Sequence, residues 1–326
     1  MIKIGIIGGA GYTAGELIRI LLQHPSVQIA FVQSQSHAGQ AVTKVHQDLV
    51  GETELLFSND LRFDVDVLFL CQGHGQAVQF LQKNSIPSKV KIIDLGNDFR
   101  LEGNALVQNR KFVYGLPELY KKQISEANSI ANPGCFATAI QLALLPLASE
   151  KLLNADIHIH AITGSTGAGQ SLTDTVHFTW RTNNISIYKA FTHQHLGEIR
   201  QSIQFLQNNF QKEVNFIPVR GNFTRGIFAT LYLDCQLSEN EAKTLYSDYY
   251  RDAAFTHLSD SDEVHLKQVV NTNKCLLHVA KYRNKILITS IIDNLLKGAS
   301  GQAVQNMNLM CGLPEKEGLN LKASYF

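Results

Sequence analysis

Residues Lys3 to Gly15 constrain this chain more than any other stretch. Lys3 to Gly8 is a short apolar run ending in glycines, the pattern of a buried strand. Gly8-Gly9-Ala10-Gly11-Tyr12-Thr13-Ala14-Gly15 follows. Leu17, Ile20 and Leu21 then recur at helical spacing within Thr13 to Gln23. The segment Gly9 to Ala14 matches G-x-G-x-x-A, with a strand before it and a helix after it. Such glycines permit a tight turn and let backbone approach a pyrophosphate. The helix N-terminus adds free N–H groups and partial positive charge. The expected ligand is a dinucleotide, held by Gly8, Gly11, Tyr12, Thr13 and Ala14. An NAD site usually carries Asp or Glu at the end of the second strand. Here Ser34-Gln35-Ser36-His37 stands there. No carboxylate repels a 2′-phosphate, and the Ser34 and Ser36 hydroxyls can bind one, so NADP is expected over NAD.

Strands are also expected at Val27 to Val32, Val65 to Cys71 and Val90 to Leu95. Strands alternating with helical segments predict an α/β fold with a parallel, doubly wound sheet. Past residue 150 the strands lengthen and several alternate: Ile157 to Thr163, Asn215 to Pro218, Ile227 to Cys235, Lys274 to Tyr282 and Lys285 to Ile292. Helical stretches at Leu196 to Phe210 and Glu239 to Tyr250 interrupt them, which predicts a second, α+β domain. Ala299 to Leu309 reads as a last helix. A length of 326 residues agrees with two domains.

Hydrophobic residues make up 44% and charged residues 17%, as in a globular chain. The net charge is +1 and no Lys or Arg run forms a stripe, which argues against a nucleic-acid groove or a membrane-surface role. No apolar run approaches the roughly 20 residues of a membrane helix. The N-terminal run lacks the basic segment and cleavage site of an export signal. Five cysteines are scattered, with no C-x-x-C pair, against both a disulfide framework and a zinc site. The expected location is the cytoplasm.

The stretch Ala131-Asn132-Pro133-Gly134-Cys135-Phe136 raises the question of chemistry. Pro133-Gly134 breaks the chain and Phe136 onward is helical, so Cys135 falls near a helix N-terminus. The helix dipole and free N–H groups there favour a thiolate. They also suit an oxyanion. A thiol beside a dinucleotide domain suggests attack on an acyl carbonyl, a thioester, and reduction by hydride to an aldehyde. The alternative is a small buried cysteine under a core helix. A thiol catalyst needs a base, and Phe191-Thr192-His193-Gln194-His195-Leu196-Gly197-Glu198 offers two imidazoles and a carboxylate. His193 and His195 could also form a metal pair, but no third ligand of clear spacing accompanies them, so no metal is expected.

Eight ordered segments, GGAGYTAGEL, IIDLGNDFRL, VYGLPEL, NPGCFATA, GSTGAG, HQHLGEI, GNFTRGI and DNLLKGASGQAVQ, together resemble the N-acyl-γ-glutamyl-phosphate reductases of arginine biosynthesis, type 1, over almost the whole chain. The resemblance implies a two-domain fold like that of glyceraldehyde-3-phosphate and aspartate-semialdehyde dehydrogenases. A nucleotide domain would span residues 1–133 plus 298–326, and a catalytic and dimerisation domain residues 134–297. It implies NADP as cofactor, Cys135 as nucleophile and the His193, His195, Glu198 segment as its partner. His195 is the favoured base because it abuts the helix start, and His193 the alternative. The turn departs from the family's GxxGYTG in having Ala14 for glycine, and Gly96-Asn97 stands where serine and alanine are usual.

The remaining roles follow from the resemblance. Arg100 and Arg225 are expected to hold the substrate's phosphate and carboxylate, in either order. Ser165 and Glu198 are counted with them as substrate-binding. Gly167, in the second glycine-rich loop Gly164 to Gly169, and Gly75, after the third strand, would border the cofactor. Asn294 resembles the fold's asparagine that bonds the nicotinamide carboxamide. The implied reaction is NADPH-dependent reduction of N-acetyl-γ-glutamyl phosphate to N-acetyl-glutamate 5-semialdehyde and phosphate. The rivals are the same chemistry on an N-succinyl or carrier-linked aminoadipyl phosphate, an aspartate-semialdehyde dehydrogenase, and a non-catalytic NADP sensor. Partners are expected to be the acyl-phosphate substrate and further copies of the chain, as a homodimer or homotetramer.

Overall fold

A computed structural model describes residues 1–326. The chain forms two compact units, one of Met1–Pro133 with Ala299–Asn320 and one of Gly134–Gly298 with Leu321–Phe326.

The first unit contains β1 (Ile2–Ile7), α1 (Tyr12–Leu22), β2 (Val27–Gln33), β3 (Phe57–Ser58), β4 (Val67–Leu70), α2 (Gln76–Lys83) and β5 (Lys91–Asp94). A small hairpin of β6 (Leu106–Val107) and β7 (Arg110–Lys111) follows, then β8 (Val113–Tyr114), α3 (Pro117–Glu126) and β9 (Ser129–Ala131). Its sheet has the order β3-β2-β1-β4-β5-β9-β8, and every pair is parallel. Val67, Leu68, Phe69 and Leu70 of β4 are all fully buried, as a strand covered on both faces requires. The strand order reverses at β1 and β4, so the glycine turn after β1 lies beside the loop after β4. Crevices at such reversals are where doubly wound sheets bind ligands.

The second unit contains α4 (Cys135–Ser149), β10 (Ile157–Thr163), α5 (Phe178–Arg181), β11 (Ser186–Ile187), α6 (His195–Leu206), β12 (Val214–Arg220), β13 (Ile227–Asp234), α7 (Glu239–Tyr249), β14 (Thr256–Leu258), β15 (Cys275–Tyr282) and β16 (Lys285–Ile292). Its sheet is mixed, in the order β11-β12-β10-β13-β16-β15-β14. Along β13 the period is two: Ile227, Ala229, Leu231 and Leu233 are buried, while Phe228, Thr230 and Tyr232 face the other way. Helix α4 packs on the buried face and is itself buried from Phe136 to Ala148, which explains its nearly continuous apolar sequence. The last helix, α8 (Ser300–Met310), belongs to the first unit and packs there on α1 and α3.

Proline 146 lies inside α4 and the helix runs through it. Proline has no N–H, so the carbonyl four residues earlier, Leu142, loses its helical donor. Tyr250 repairs this, because its hydroxyl donates to Leu142 O at 2.5 Å. Tyr246, on α7, donates likewise to Ala143 O at 2.5 Å. The two tyrosines thus join a polar repair to apolar packing in a buried layer.

Several short elements carry no periodic signal. Strands β3, β6, β7, β8 and β11 have two residues each, too few for alternation to show. Helix α2 buries only Ala77, Phe80 and Leu81, and α3 only Pro117 and Ile124. The division expected from the resemblance placed 298–326 with the nucleotide unit. Gly298 and Leu321–Phe326 group with the second unit instead, where Ser324 N–H donates to Val270 O at 3.2 Å.

Tyr250→Phe should lower stability by about 1–2 kcal/mol, since it strands a buried carbonyl. In a Pro146→Ala background, where residue 146 can donate to Leu142 O, the loss should shrink. Urea unfolding of the four proteins as a double-mutant cycle measures both.

Candidate active site

The first unit builds a cradle around the glycine turn. Gly8 has φ +80°, and a Cβ there would lie 2.8 Å from Cys71 O, so glycine is required twice over. The N–H groups of Gly8 and Gly9 donate to Gln33 O at 3.1 and 2.8 Å and pin the turn to the end of β2. His46 braces it from behind, its Nε2 donating to Gly9 O at 2.8 Å and its ring covering Gly15. Gly11 is the N-cap of α1, and no atom lies within 4 Å of where its Cβ would be. Tyr12 opens the helix and is 40% exposed, while Ala14 is fully buried. The Thr13 carbonyl accepts from Ser300 Oγ at 2.7 Å, and the Thr13 side chain bonds the half-buried Cys71 thiol.

A cavity of about 470 Å³ opens against this turn, lined by Gly8, Gly11, Ser34, Ser36 and Gln72 among others, with no Asp or Glu. The Ser34 and Ser36 hydroxyls both reach His37 Nδ1, at 3.3 and 2.8 Å. Open approach at Gly11, a helix N-terminus and paired hydroxyls without a carboxylate fit a phosphate-bearing dinucleotide.

The loops after β4 and β5 have other work. Gly75, at φ +79°, donates its N–H to Asp98 Oδ1 at 2.6 Å, and Val78 N–H donates to Asp98 Oδ2 at 3.2 Å. Asp98 therefore caps α2, a role no sequence signal disclosed. Arg100 is buried; its Nε donates to Asn132 O at 2.8 Å and an Nη to Leu95 O at 3.1 Å. Burial pushes the nearby Asp94 carboxyl up to about 7, against the Gly96 N–H that it accepts and the Arg100 charge.

In the second unit Cys135 is the first residue of α4. Gly134 precedes it as N-cap, and the Gly134 N–H donates to Glu198 Oε2 at 2.9 Å. The other oxygen, Oε1, lies 3.8 Å from His195 Nε2. Glu198, which the resemblance counted as substrate-binding, is only 3% exposed and here meets the Gly134 N–H and His195. Gln141 Nε2, one turn and a half along α4, donates to Glu198 O at 2.8 Å and to Ser202 Oγ at 3.1 Å, locking α6 onto α4. Gly298 closes over the thiol: a Cβ there would sit 2.8 Å from Cys135 Cβ.

The two imidazoles are tilted neighbours, 4.6 Å between ring centres, and Phe136 packs edge-on to both. His195 N–H donates to His193 Nδ1 at 3.3 Å, so in the neutral His193 ring the hydrogen sits on Nε2. Burial, and then the Lys189 charge, hold His193 down to about 4, and it is neutral at pH 7. Tyr188 lies edge-on to His193, and burial together with the Cys135 thiol pushes its hydroxyl far up. Asn183, Lys189 and Phe191, all in the run leading to His193, have positive φ. Such strain needs surrounding structure to hold it and gathers at working sites.

The second glycine-rich loop is laced to residues 223–226. Gly164, Ser165 and Thr166 donate backbone N–H groups to Gly226, Phe223 and Thr224 carbonyls. Asn294 joins the two: its Oδ1 accepts Gly226 N–H at 2.7 Å and its Nδ2 donates to Thr166 Oγ1 at 3.0 Å. Gly167 lies in the same turn, with Asn294 Nδ2 3.9 Å from its would-be Cβ. Arg225 forms a two-pronged pair with the buried Asp293, at 3.0 and 3.2 Å. Both arginines singled out in the sequence thus brace their own loops. Tyr188, Arg181 and Arg220 carry no motif, and only strand pairing brings them to this place. No group of three or more His, Cys, Asp or Glu is arranged to hold a metal ion. No helix is long and apolar enough to cross a membrane.

Known proteins match this chain along its length. The family described as semialdehyde dehydrogenase, NAD binding domain, matches residues 3–127, and that described as semialdehyde dehydrogenase, dimerisation domain, matches residues 135–294. The chain is 61% identical to N-acetyl-gamma-glutamyl-phosphate reductase of Christiangramia forsetii over 326 residues, all of both chains. It is 57% identical to that of Flavobacterium johnsoniae over 326 residues and 55% identical to that of Bacteroides thetaiotaomicron over 327, again end to end. Among solved structures, aspartate semialdehyde dehydrogenase II of Vibrio cholerae superposes with a TM-score of 0.72 at 15% identity, covering 96% of this chain and 98% of the other. Aspartate semialdehyde dehydrogenase of Candida albicans gives 0.68 at 12%, covering 95% and 99%. These structures share the fold.

Gly11→Ala should leave the folded protein intact, because its φ of −82° suits alanine and its Cβ meets nothing. The same methyl would occupy the approach of a pyrophosphate, so dinucleotide affinity should fall at least about tenfold. Thermal melting with and without dinucleotide checks both halves. An unchanged affinity would move the phosphates elsewhere.

Proposed function

Because the chain belongs to the N-acetyl-γ-glutamyl-phosphate reductase family, we propose that it reduces N-acetyl-γ-glutamyl phosphate to N-acetyl-glutamate 5-semialdehyde and phosphate, with Cys135 as nucleophile and NADPH as reductant. The observation that carries the chemistry is Cys135 at the first position of α4, with the preceding N–H held by Glu198 beside His195.

The Cys135 thiol gives its proton to an imidazole and its sulfur attacks the γ-carbonyl carbon. The carbon–oxygen bond to phosphate breaks, phosphate leaves with that electron pair, and a thioester remains. NADPH, when bound, supplies the hydride that reduces the thioester carbonyl. The resulting oxyanion takes a proton from the imidazolium; on collapse that hydroxyl proton returns to the imidazole as the carbon–sulfur bond breaks, releasing the aldehyde and the thiolate. N–H groups at the start of α4 favour negative charge on sulfur and on the carbonyl oxygen.

His195 is assigned as acid and base. The Glu198 carboxylate lies 3.8 Å from its Nε2, and such a pair tightens once substrate is bound. His193, neutral and accepting the His195 N–H, is assigned to positioning. Ser34 and Ser36 would hold the 2′-phosphate that separates NADP from NAD, and Gly8 and Gly11 would face the pyrophosphate. Asn294, which retains one amide hydrogen beyond its bond to Thr166, remains the assigned contact for the nicotinamide amide.

Self-association belongs to this reading, since the dimerisation domain spans residues 135–294. Tyr232 and Leu287 pair across β13 and β16 on the face away from α4 and are 43% and 39% exposed. That face is assigned to a homodimer, from which a homotetramer could be built. Five free cysteines suit the reducing cytoplasm as the place of action.

The test is the reverse reaction: N-acetyl-glutamate semialdehyde, phosphate and NADP, following NADPH. Native protein should turn over only with phosphate present. Cys135→Ser should lose at least about a thousandfold in kcat while binding NADP as before. Turnover surviving in Cys135→Ser would remove the thioester route.

A further inference from the structure

We propose that Arg181 and Arg220 form a binding site for a carboxylate of the substrate, remote from the reacting carbon. The inference rests on the reductase reading and extends it to what holds the far end of the substrate.

Sheet pairing builds the place. Arg220 ends β12, in register with Thr163 of β10 on one side and Ser186 of β11 on the other. Arg181 ends α5, and one Nη reaches Thr163 O at 3.4 Å. The Arg220 guanidinium lies 4.0 Å above the Tyr188 ring. Arg181 is 8% exposed, and its Nε is buried with no acceptor.

Neither guanidinium has a carboxylate partner. Arg19, Arg200, Arg225 and Arg251, by contrast, pair with Glu16, Glu213, Asp293 and Asp248. Arg181 and Arg220 instead sit close enough to repel, and burial with that repulsion holds Arg181 below the usual guanidinium range. Two neighbouring cations, one of them buried, are costly without a counter-anion. A planar carboxylate is the group that two guanidinium forks bind best after phosphate.

Position selects carboxylate over phosphate. Tyr188 carries the Arg220 guanidinium on its ring and lies edge-on to His193, 5.7 Å between ring centres, in the segment that leads to His195. The phosphate is bonded to the carbon that Cys135 attacks, so it must lie at the thiol. The arginine pair, reached through Tyr188, serves another part of the same molecule. Two carboxylates qualify: the α-carboxylate of the glutamyl moiety, or the terminal carboxylate of an N-succinyl group.

Arg220 is half-buried at a strand end, so Arg220→Gln should fold. With N-acetyl and N-succinyl glutamate semialdehydes in the reverse direction, Arg220→Gln should raise the aldehyde KM about tenfold to a hundredfold. The KM for phosphate should stay within roughly twofold, and Arg220→Lys should recover part of the loss. Equal loss with both aldehydes identifies the α-carboxylate. Loss confined to the succinyl aldehyde identifies the acyl terminus. An unchanged aldehyde KM with both, or a raised KM for phosphate alone, overturns the proposal. A second readout needs no turnover. Trp180, the chain's one tryptophan, precedes Arg181 and reports this place by fluorescence. N-acetylglutamate and N-succinylglutamate titrations of native protein and Arg220→Gln should differ at least about tenfold in midpoint for one of them. Identical titrations overturn the site. Failure of native protein to turn over either aldehyde would instead refute the reductase reading.

Discussion

The Glu198 carboxylate is the joint on which the second unit depends. One oxygen accepts the Gly134 N–H, the last backbone donor before Cys135, and the other faces His195. Its backbone carbonyl accepts Gln141 from α4. A buried carboxylate is tolerable only if its oxygens are met by donors and positive charge, and here the donors are the residues whose placement matters. The entry angle of α4, the seat of Cys135 and the orientation of His195 are therefore one problem with one solution. The wholly apolar body of α4, with its Pro146 break repaired from Tyr250, gives that joint a rigid lever.

The cradle of the first unit is built on the opposite principle, since it is defined by atoms that are missing. Gly8 is required by backbone conformation and by Cys71 O, and Gly15 by the His46 ring. Gly11 is required by neither and leaves open space. Glycines of one motif thus serve two ends. Some let the chain pack against itself, and one keeps a path clear for a ligand. The substitution of Ala14 for the usual glycine is absorbed because that side chain points into the core, where it is fully buried.

Charge in this protein sorts by partner. Arg100 and Arg225 stand in motif segments, yet carbonyls and Asp293 take their guanidinium groups, and they hold loops in shape. Arg181 and Arg220 stand in unremarkable sequence and have no acid to answer them. A cation with a protein partner explains local structure; a buried cation without one points outward, to something the protein binds.

The parallel first sheet, the α+β second half, the glycine turn after β1, the helix start at Cys135 and the neighbouring His193 and His195 were all legible in the sequence. These were legible because they are local. A strand, glycine turn and helix sit within the first twenty-odd residues, Pro133-Gly134 places Cys135 at a helix start, and His195 to Glu198 form the first turn of α6 with His193 two residues ahead of it. Glu198 as the clamp on Gly134, Asp98 as the cap of α2, and the neutral state of His193 were not legible. Each depends on which distant atom stands within hydrogen-bond reach and on how much water is excluded. The pairing of Arg181 with Arg220 is the clearest case. Strand register puts Arg220 beside Thr163, and burial removes the solvent that would have screened the two charges. Local pattern determined which elements form and where a thiol and a phosphate turn would lie. Only tertiary packing decided which charges are answered by the protein and which are left unanswered, because the energy of a charge is set by its surroundings and not by its place in the chain.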